Sequence, residues 1–495
     1  MSTRTRWSLI AVPAVLVVAA CSDQVTSPPP SINTTPEAPR MSSVAASGIP
    51  TGKTVVVFKD TSSIPAAGIN LLNSLGGTVS KRWDNVGVAF VTGLSATSLA
   101  TLATSDLVSA VGNDRILSWL PRSRATAVAG DPLALPQNNP ANAAYYADGT
   151  QWNMRITGAD KAWAAGRQGL PSTRVAIIDT GIDYDHRELR TLVDKSASAS
   201  FSALIAGGEV GMEVIVPVEP QLPTDLPFMD NHFHGTHVAS TVASNNISVA
   251  SIAPDITLIA VKVLNFQGSG TFESVASGIR HAAGAANADV INMSLGANVD
   301  VNEEGVPALL ELMSRVIRDA EKQGAIVISA AGNDALNLDQ GPLVSTPCEQ
   351  STMCVSATGP LLQQNFDQPA TYTNYGITAI EVAAPGGNAT DTEGEYVNKD
   401  LIIGACSRRT SEPGLAVCRG NVDGGVYFYA YAAGTSMASP HVAGLAALIK
   451  SYNPLISVNG IRSKIQSTAD DVGVKGRDIY SNYGRINIAT ALGLK

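Results

Sequence analysis

Apolar and polar residues follow two different rhythms along this chain, and the rhythm changes near residue 150. From Trp152 onward, short apolar runs alternate with amphipathic stretches. Arg174-Val175-Ala176-Ile177-Ile178-Asp179 is a continuous apolar run, the pattern of a parallel strand buried on both faces. Ile256–Val263, Asp289–Met293, Ala325–Ser329 and Thr378–Ala383 read as further strands. Helices are predicted near His234–Ser244, Phe272–Ala283 and Pro307–Lys322, the last with Leu309, Leu312, Met313, Val316, Ile317 and Ala320 on one face. Alternation on this scale predicts an α/β domain over residues 151–495: a parallel β-sheet flanked by helices on both faces. Ser196–Met229 and Asn388–Tyr429 fit no element and read as surface insertions.

Residues 53–118 keep a shorter rhythm. Lys53 to Phe58, Val86 to Val91 and Val108 to Val111 read as strands, with helices at Ile69 to Leu75 and Ser95 to Thr104. The order β-α-β-α-β predicts a small α+β domain with nothing catalytic in it. Residues 119–150 form a junction marked by Pro121, Pro132, Pro136 and Pro140.

Residues 1–20 read as an export signal, with Arg4 and Arg6 before an apolar core from Leu9 to Val18. Val18-Ala19-Ala20-Cys21 resembles a bacterial lipobox, which makes Cys21 a candidate lipid-bearing residue. Residues 22–52, with Pro28-Pro29-Pro30, have no apolar period and read as an extended tether. The expected location is therefore outside the cytoplasm, as a cell-envelope lipoprotein precursor or a secreted protein.

Composition narrows this picture. The chain has 495 residues, of which 45% are apolar and 15% charged, as in a globular enzyme. Its formal net charge of −9 argues against a general affinity for nucleic acid. Export makes disulfides admissible, and Cys348–Cys354 and Cys406–Cys418 are the favoured local pairs among three possible pairings.

The chemistry gathers where an open parallel sheet binds ligands, at the carboxyl ends of its strands. Asp179 ends one strand and Asn333 follows another. His234 opens a helix after Asp230-Asn231-His232-Phe233, and Ser436 opens the long Ala-rich helix after Gly434-Thr435. Pro440 is tolerated there because the first turn of a helix lacks intrahelical partners. A serine hydroxyl is a poor nucleophile until a neutral imidazole takes its proton. The imidazole needs a carboxylate on its other nitrogen, and the tetrahedral oxyanion needs preplaced donors. These four residues supply all of those groups.

The motifs Asp179-Thr180-Gly181, His234-Gly235-Thr236-His237, Asn292-Met293-Ser294-Leu295-Gly296, Ala331-Gly332-Asn333 and Gly434-Thr435-Ser436-Met437-Ala438-Ser439-Pro440 resemble the subtilisin family of serine endopeptidases, the subtilases. The resemblance covers about residues 150–495, in family order. It implies Asp179 as the orienting carboxylate, His234 as general base, Ser436 as nucleophile and Asn333 as oxyanion donor. It implies that Gly268-Ser269-Gly270 and Ser294-Leu295-Gly296 bracket a peptide substrate as an added strand. Residues 53–118 resemble the family's inhibitory propeptide, so the chain's own tail near Asp114 to Leu120 is an expected occupant of the cleft. Glu188 matches a family calcium ligand, but the loop after the His234 helix is short, so no cofactor is required and structural calcium is doubtful. Ser345-Thr346-Pro347 resembles the floor of the P1 pocket and is uncharged, which suggests a neutral or apolar P1 residue. The competing readings are a catalytically silent envelope binding protein of the same fold and an esterase. A metal cluster of His232, His234 and His237 is a weaker alternative.

Overall fold

The computed structural model describes residues 48–120, 125–130, 135–202, 222–389, 397–419 and 427–494. The export signal, the Cys21 lipobox and nearly all of the tether lie outside the described residues, as do parts of both insertions. The strands in chain order are β1 (Ile49–Phe58), β2 (Thr78–Trp83), β3 (Val88–Thr92), β4 (Val108–Ser118), β5 (Ala125–Ala129), β6 (Arg174–Asp179), β7 (Ala199–Ser200), β8 (Thr257–Lys262), β9 (Ser269–Thr271), β10 (Val290–Met293), β11 (Ala297–Asp300), β12 (Ile326–Ala330), β13 (Leu343–Thr346), β14 (Met353–Thr358), β15 (Val382–Pro385), β16 (Ile402–Ala405) and β17 (Phe428–Ala432).

Seven of them form a parallel sheet in the order β15-β14-β12-β10-β6-β8-β7. One of its inner strands, β6, explains its own sequence. Val175 and Ile177 of β6 face one apolar core, shared with the helices His234–Val242 and Thr435–Tyr452. Ala176 and Ile178 face the other core, shared with the helices Phe272–Ala283 and Val306–Lys322. A strand covered on both faces has no solvent side, so its apolar run is unbroken.

The N-terminal domain is an antiparallel sheet, β2-β3-β1-β4, with the helices Ala66–Ser74 and Ala96–Ala103. It has one strand more than its apolar runs suggest. β2 alternates half-buried and exposed residues, so it presents no apolar run. β4 runs through to Ser118, and its end continues the sheet onto β9: Ile116 pairs with Thr271, Leu117 with Gly270 and Ser118 with Ser269.

Two stretches read as structureless from sequence contain strands. β16 lies inside the second insertion and pairs antiparallel with β17, and β5, from the proline-marked junction, pairs with β17 on its other side. β14 was hidden by Cys354, Ser356 and Thr358, which break its apolar run. Both expected disulfides are present, Cys348–Cys354 and Cys406–Cys418.

Candidate functional site

β6 delivers Asp179 to the carboxyl edge of the sheet, fully buried. His234 Nδ1 lies 2.9 and 3.0 Å from the two Asp179 carboxylate oxygens. Nδ1 therefore carries the proton and donates it, which leaves Nε2 as the free acceptor. Thr180 N–H also donates to Asp179 Oδ1, at 2.7 Å.

The start of the His234 helix is held from several sides. Asp230 accepts the N–H groups of His232, Phe233 and Thr236, and the hydroxyls of Thr180 and Thr236. A carboxylate at this end of a helix satisfies orphan donors and complements the helix dipole. Phe233 has φ 138°, a strained conformation for an aromatic residue, and sits immediately before His234. Gly235 must lack a side chain, because a Cβ there would run into the Gly181 carbonyl.

A strap from the second insertion presses on this loop. Ser407 and Thr410 donate their hydroxyls to the carbonyls of Asp230 and His232, and Ser411 N–H donates to the Asn231 carbonyl at 2.8 Å. The strap is anchored by Arg408, which makes two bonds through its side chain to the buried Asp183, at 2.9 and 2.8 Å. Cys406–Cys418 closes it. The sequence signals the strap only through its two cysteines.

Ser436 lies in the first turn of the Thr435–Tyr452 helix, as the small-residue turn before it suggests. Its hydroxyl donates to the Ser294 carbonyl at 3.0 Å, and Ser294 Oγ donates back to the Ser436 carbonyl at 2.8 Å. Among the described residues Ser436 is thus bonded to the Ser294–Gly296 edge and not to the His234 ring. Asn333 Oδ1 accepts both the N–H (2.9 Å) and the hydroxyl (2.8 Å) of Thr435. That fixes the amide so that Nδ2 is its free donor end, and a Cβ at Gly434 would stand 3.2 Å from it. Motif reading passed over this contact of Thr435, although the residue directly precedes the nucleophile candidate.

The two Gly-rich edges have an occupant. Beyond the β4–β9 pairing, Trp119 N–H donates to the Gly268 carbonyl and Gly296 N–H donates to the Trp119 carbonyl, both at 2.9 Å. Trp119 is fully buried, edge-on to Phe272 at 5.0 Å, and its Nε1 donates to the Gly270 carbonyl at 3.0 Å.

His237 donates Nε2–H toward the carbonyls of Ile402 and Ala430. Burial pushes His232 and His237 down to about 4, so both are neutral near pH 7. No group of three or more potential metal ligands occurs among the described residues. Glu188 is fully buried, and its oxygens accept the N–H groups of Ile247, Ser248 and Val249 and the Tyr429 hydroxyl. Calcium requires a shell of oxygen acceptors. A carboxylate ringed by donors does not fit it.

The sequence model described as the Subtilase family matches residues 171–484. A thermophilic serine proteinase of Bacillus sp. (strain AK1) is 32% identical over 354 residues, 71% of this chain and 69% of that protein. Subtilisin DY of Bacillus licheniformis is 31% identical over 342 residues, 69% of this chain and 97% of that protein. Among solved structures, the epidermin leader peptide processing serine protease of Staphylococcus aureus superposes with a TM-score of 0.65 at 20% identity. The match covers 89% of this chain and 97% of that one. A lanthipeptide protease gives a TM-score of 0.55 at 25% identity, over 69% of this chain and 94% of that one.

Proposed function

The chain belongs to the subtilase family of serine endopeptidases, and from that premise we propose that it hydrolyses peptide bonds through an acyl-enzyme on Ser436. The observation that carries the residue assignment is the bidentate Asp179–His234 contact, which leaves Nε2 as the acceptor. Ser436 Oγ leaves the Ser294 carbonyl by a χ1 rotation, gives its proton to His234 Nε2 and attacks the substrate carbonyl carbon. Such bonds are often unmade until substrate is bound. Asp179 stabilises the imidazolium. The oxyanion is met by Asn333 Nδ2 and the Ser436 N–H, and because Thr435 holds Asn333 in place beforehand, little reorganisation is needed. His234 then protonates the leaving amine, and water repeats the cycle on the ester.

Two measurements test this. A fluorophosphonate should add to Ser436 and to no other serine, read by peptide mass. Asn333→Ala should lower kcat by about 10²–10³ with little change in KM, the scale already known for this donor in the family. An effect confined to KM would remove Asn333 from the oxyanion role.

We further propose that residues 53–118 act as an intramolecular inhibitor of an exported precursor, with Cys21 as its lipid anchor. The fit of Ile116–Trp119 between the two edges supports the inhibitory part, and the N-terminal sequence supports export. We propose that no calcium is held at Glu188. A chelator should then leave the thermal unfolding midpoint unchanged; a fall in the midpoint that added calcium restores would reverse this.

A further inference from the structure

We propose that Asp334 makes this protease selective for a basic residue, arginine or lysine, immediately before the cleaved bond. This rests on the endopeptidase reading above and specifies its substrate class. A peptide whose carbonyl oxygen faces Asn333 Nδ2, and whose backbone lies along Ser294–Gly296, sends that side chain between two walls. One wall is the edge running from Ser294 to Asn298; the other is the turn from Ala331 to Asp334.

The two walls are tied together, with Asn298 Nδ2 donating to Asp334 Oδ2 at 2.6 Å. The floor is β13, in register with β11 through Ala297–Thr346 and Asn298–Ser345. Ser345 Oγ ties the floor to the Ala331 carbonyl at 2.9 Å. Across these three segments Asp334 is the one charged side chain.

Asp334 is half-buried, and among the described residues no cation pairs with it. Burial pushes its carboxyl up, and only the Asn298 amide offsets that. A guanidinium or ammonium brings the missing charge and several donors at once. An apolar side chain would seal the carboxylate from water with no compensation, and sites with buried polar groups reject such substrates. The uncharged Ser345-Thr346-Pro347 floor therefore misleads when read alone, because the charge enters from the neighbouring wall. The chain also carries basic residues just past its own cleft-bound tail: Leu120 is followed in sequence by Pro121-Arg122-Ser123-Arg124, which lies outside the described residues.

The test uses processed enzyme and fluorogenic peptides identical except for arginine, lysine, leucine or phenylalanine before the cleaved bond. Arginine and lysine should exceed leucine and phenylalanine in kcat/KM by about 10–100-fold, the worth of a hydrogen-bonded charge. Asp334→Asn should collapse that ratio and Asp334→Glu should largely keep it, with fluorophosphonate labelling of Ser436 showing that each variant is folded. An apolar preference in the wild type, or an unchanged ratio in Asp334→Asn, overturns the proposal while leaving the endopeptidase reading intact. Failure of the wild type to label or to cleave any of the peptides would instead sink the endopeptidase reading itself.

Discussion

Ser436→Ala is expected to lower kcat by on the order of 10⁶, the scale known for the nucleophile of this family, and to leave only the residual catalysis of binding and the oxyanion hole. Among the described residues it makes one side-chain bond, to the Ser294 carbonyl, and is otherwise packed at a helix start. Removing one oxygen should therefore leave the fold in place. The same substitution should also leave the chain in one piece. Trp119 is fully buried between the edges and bonded to both, so apolar burial adds to the strand hydrogen bonds that hold the tail. The tail therefore stays attached until the chain is cut. Wild type should separate into an N-terminal piece and a catalytic piece, read by intact mass, N-terminal sequencing and fractionation. Full-length Ser436→Ala should stay with the membrane if Cys21 carries lipid. If wild type is active while uncut, the N-terminal domain is a permanent accessory and not a removable inhibitor.

Much of this architecture is visible in the sequence because burial on two faces writes itself into composition. β6 is the clearest case, with neighbouring residues feeding opposite cores. The candidate site was legible for a related reason: each of its groups sits at a strand end or helix start, where small residues and a chemical residue adjoin. β5 was not legible. It is Ala-Thr-Ala-Val-Ala, half-exposed, and its partner β17 lies some three hundred residues away in the chain. Contacts that act only after folding were equally silent, such as the Arg408–Asp183 anchor beneath the loop that aims His234. That no cation meets Asp334 among the described residues is also silent, since only the folded arrangement tells which carboxylates find cations.

Docking of the N-terminal domain should weaken as pH rises from about 4 to about 7, through Asp114. This residue is fully buried in the seam, at the point where the β1–β4 register shifts. Its carboxylate faces the first turn of the Phe272–Ala283 helix, with Glu273 N–H at 3.4 Å and Thr51 Oγ1 at 3.4 Å. Burial, and then the charge of Glu273, push Asp114 up to about 7 from 3.8. An acid whose docked value is raised favours the docked state while protonated. That contribution is complete below about 4, is lost progressively between about 4 and about 7, and is flat above. Glu273 titrates in the opposite sense and lower. Burial raises it, but Lys53 and Lys81, each at 2.6 Å, hold it below the usual carboxylate range, so its pairs fail only in acid. One coupled proton weakens docking at most about tenfold per pH unit, on the order of 10²–10³ across the window. Co-elution of the cut N-terminal piece with the catalytic piece reads this without relying on activity, which has its own pH dependence. Asp114→Asn keeps the neutral shape at every pH, so its pieces should stay together at pH 7 where those of the wild type part. A pH-independent wild type, or an Asn variant that releases as readily as the wild type, would show that Asp114 does not govern release.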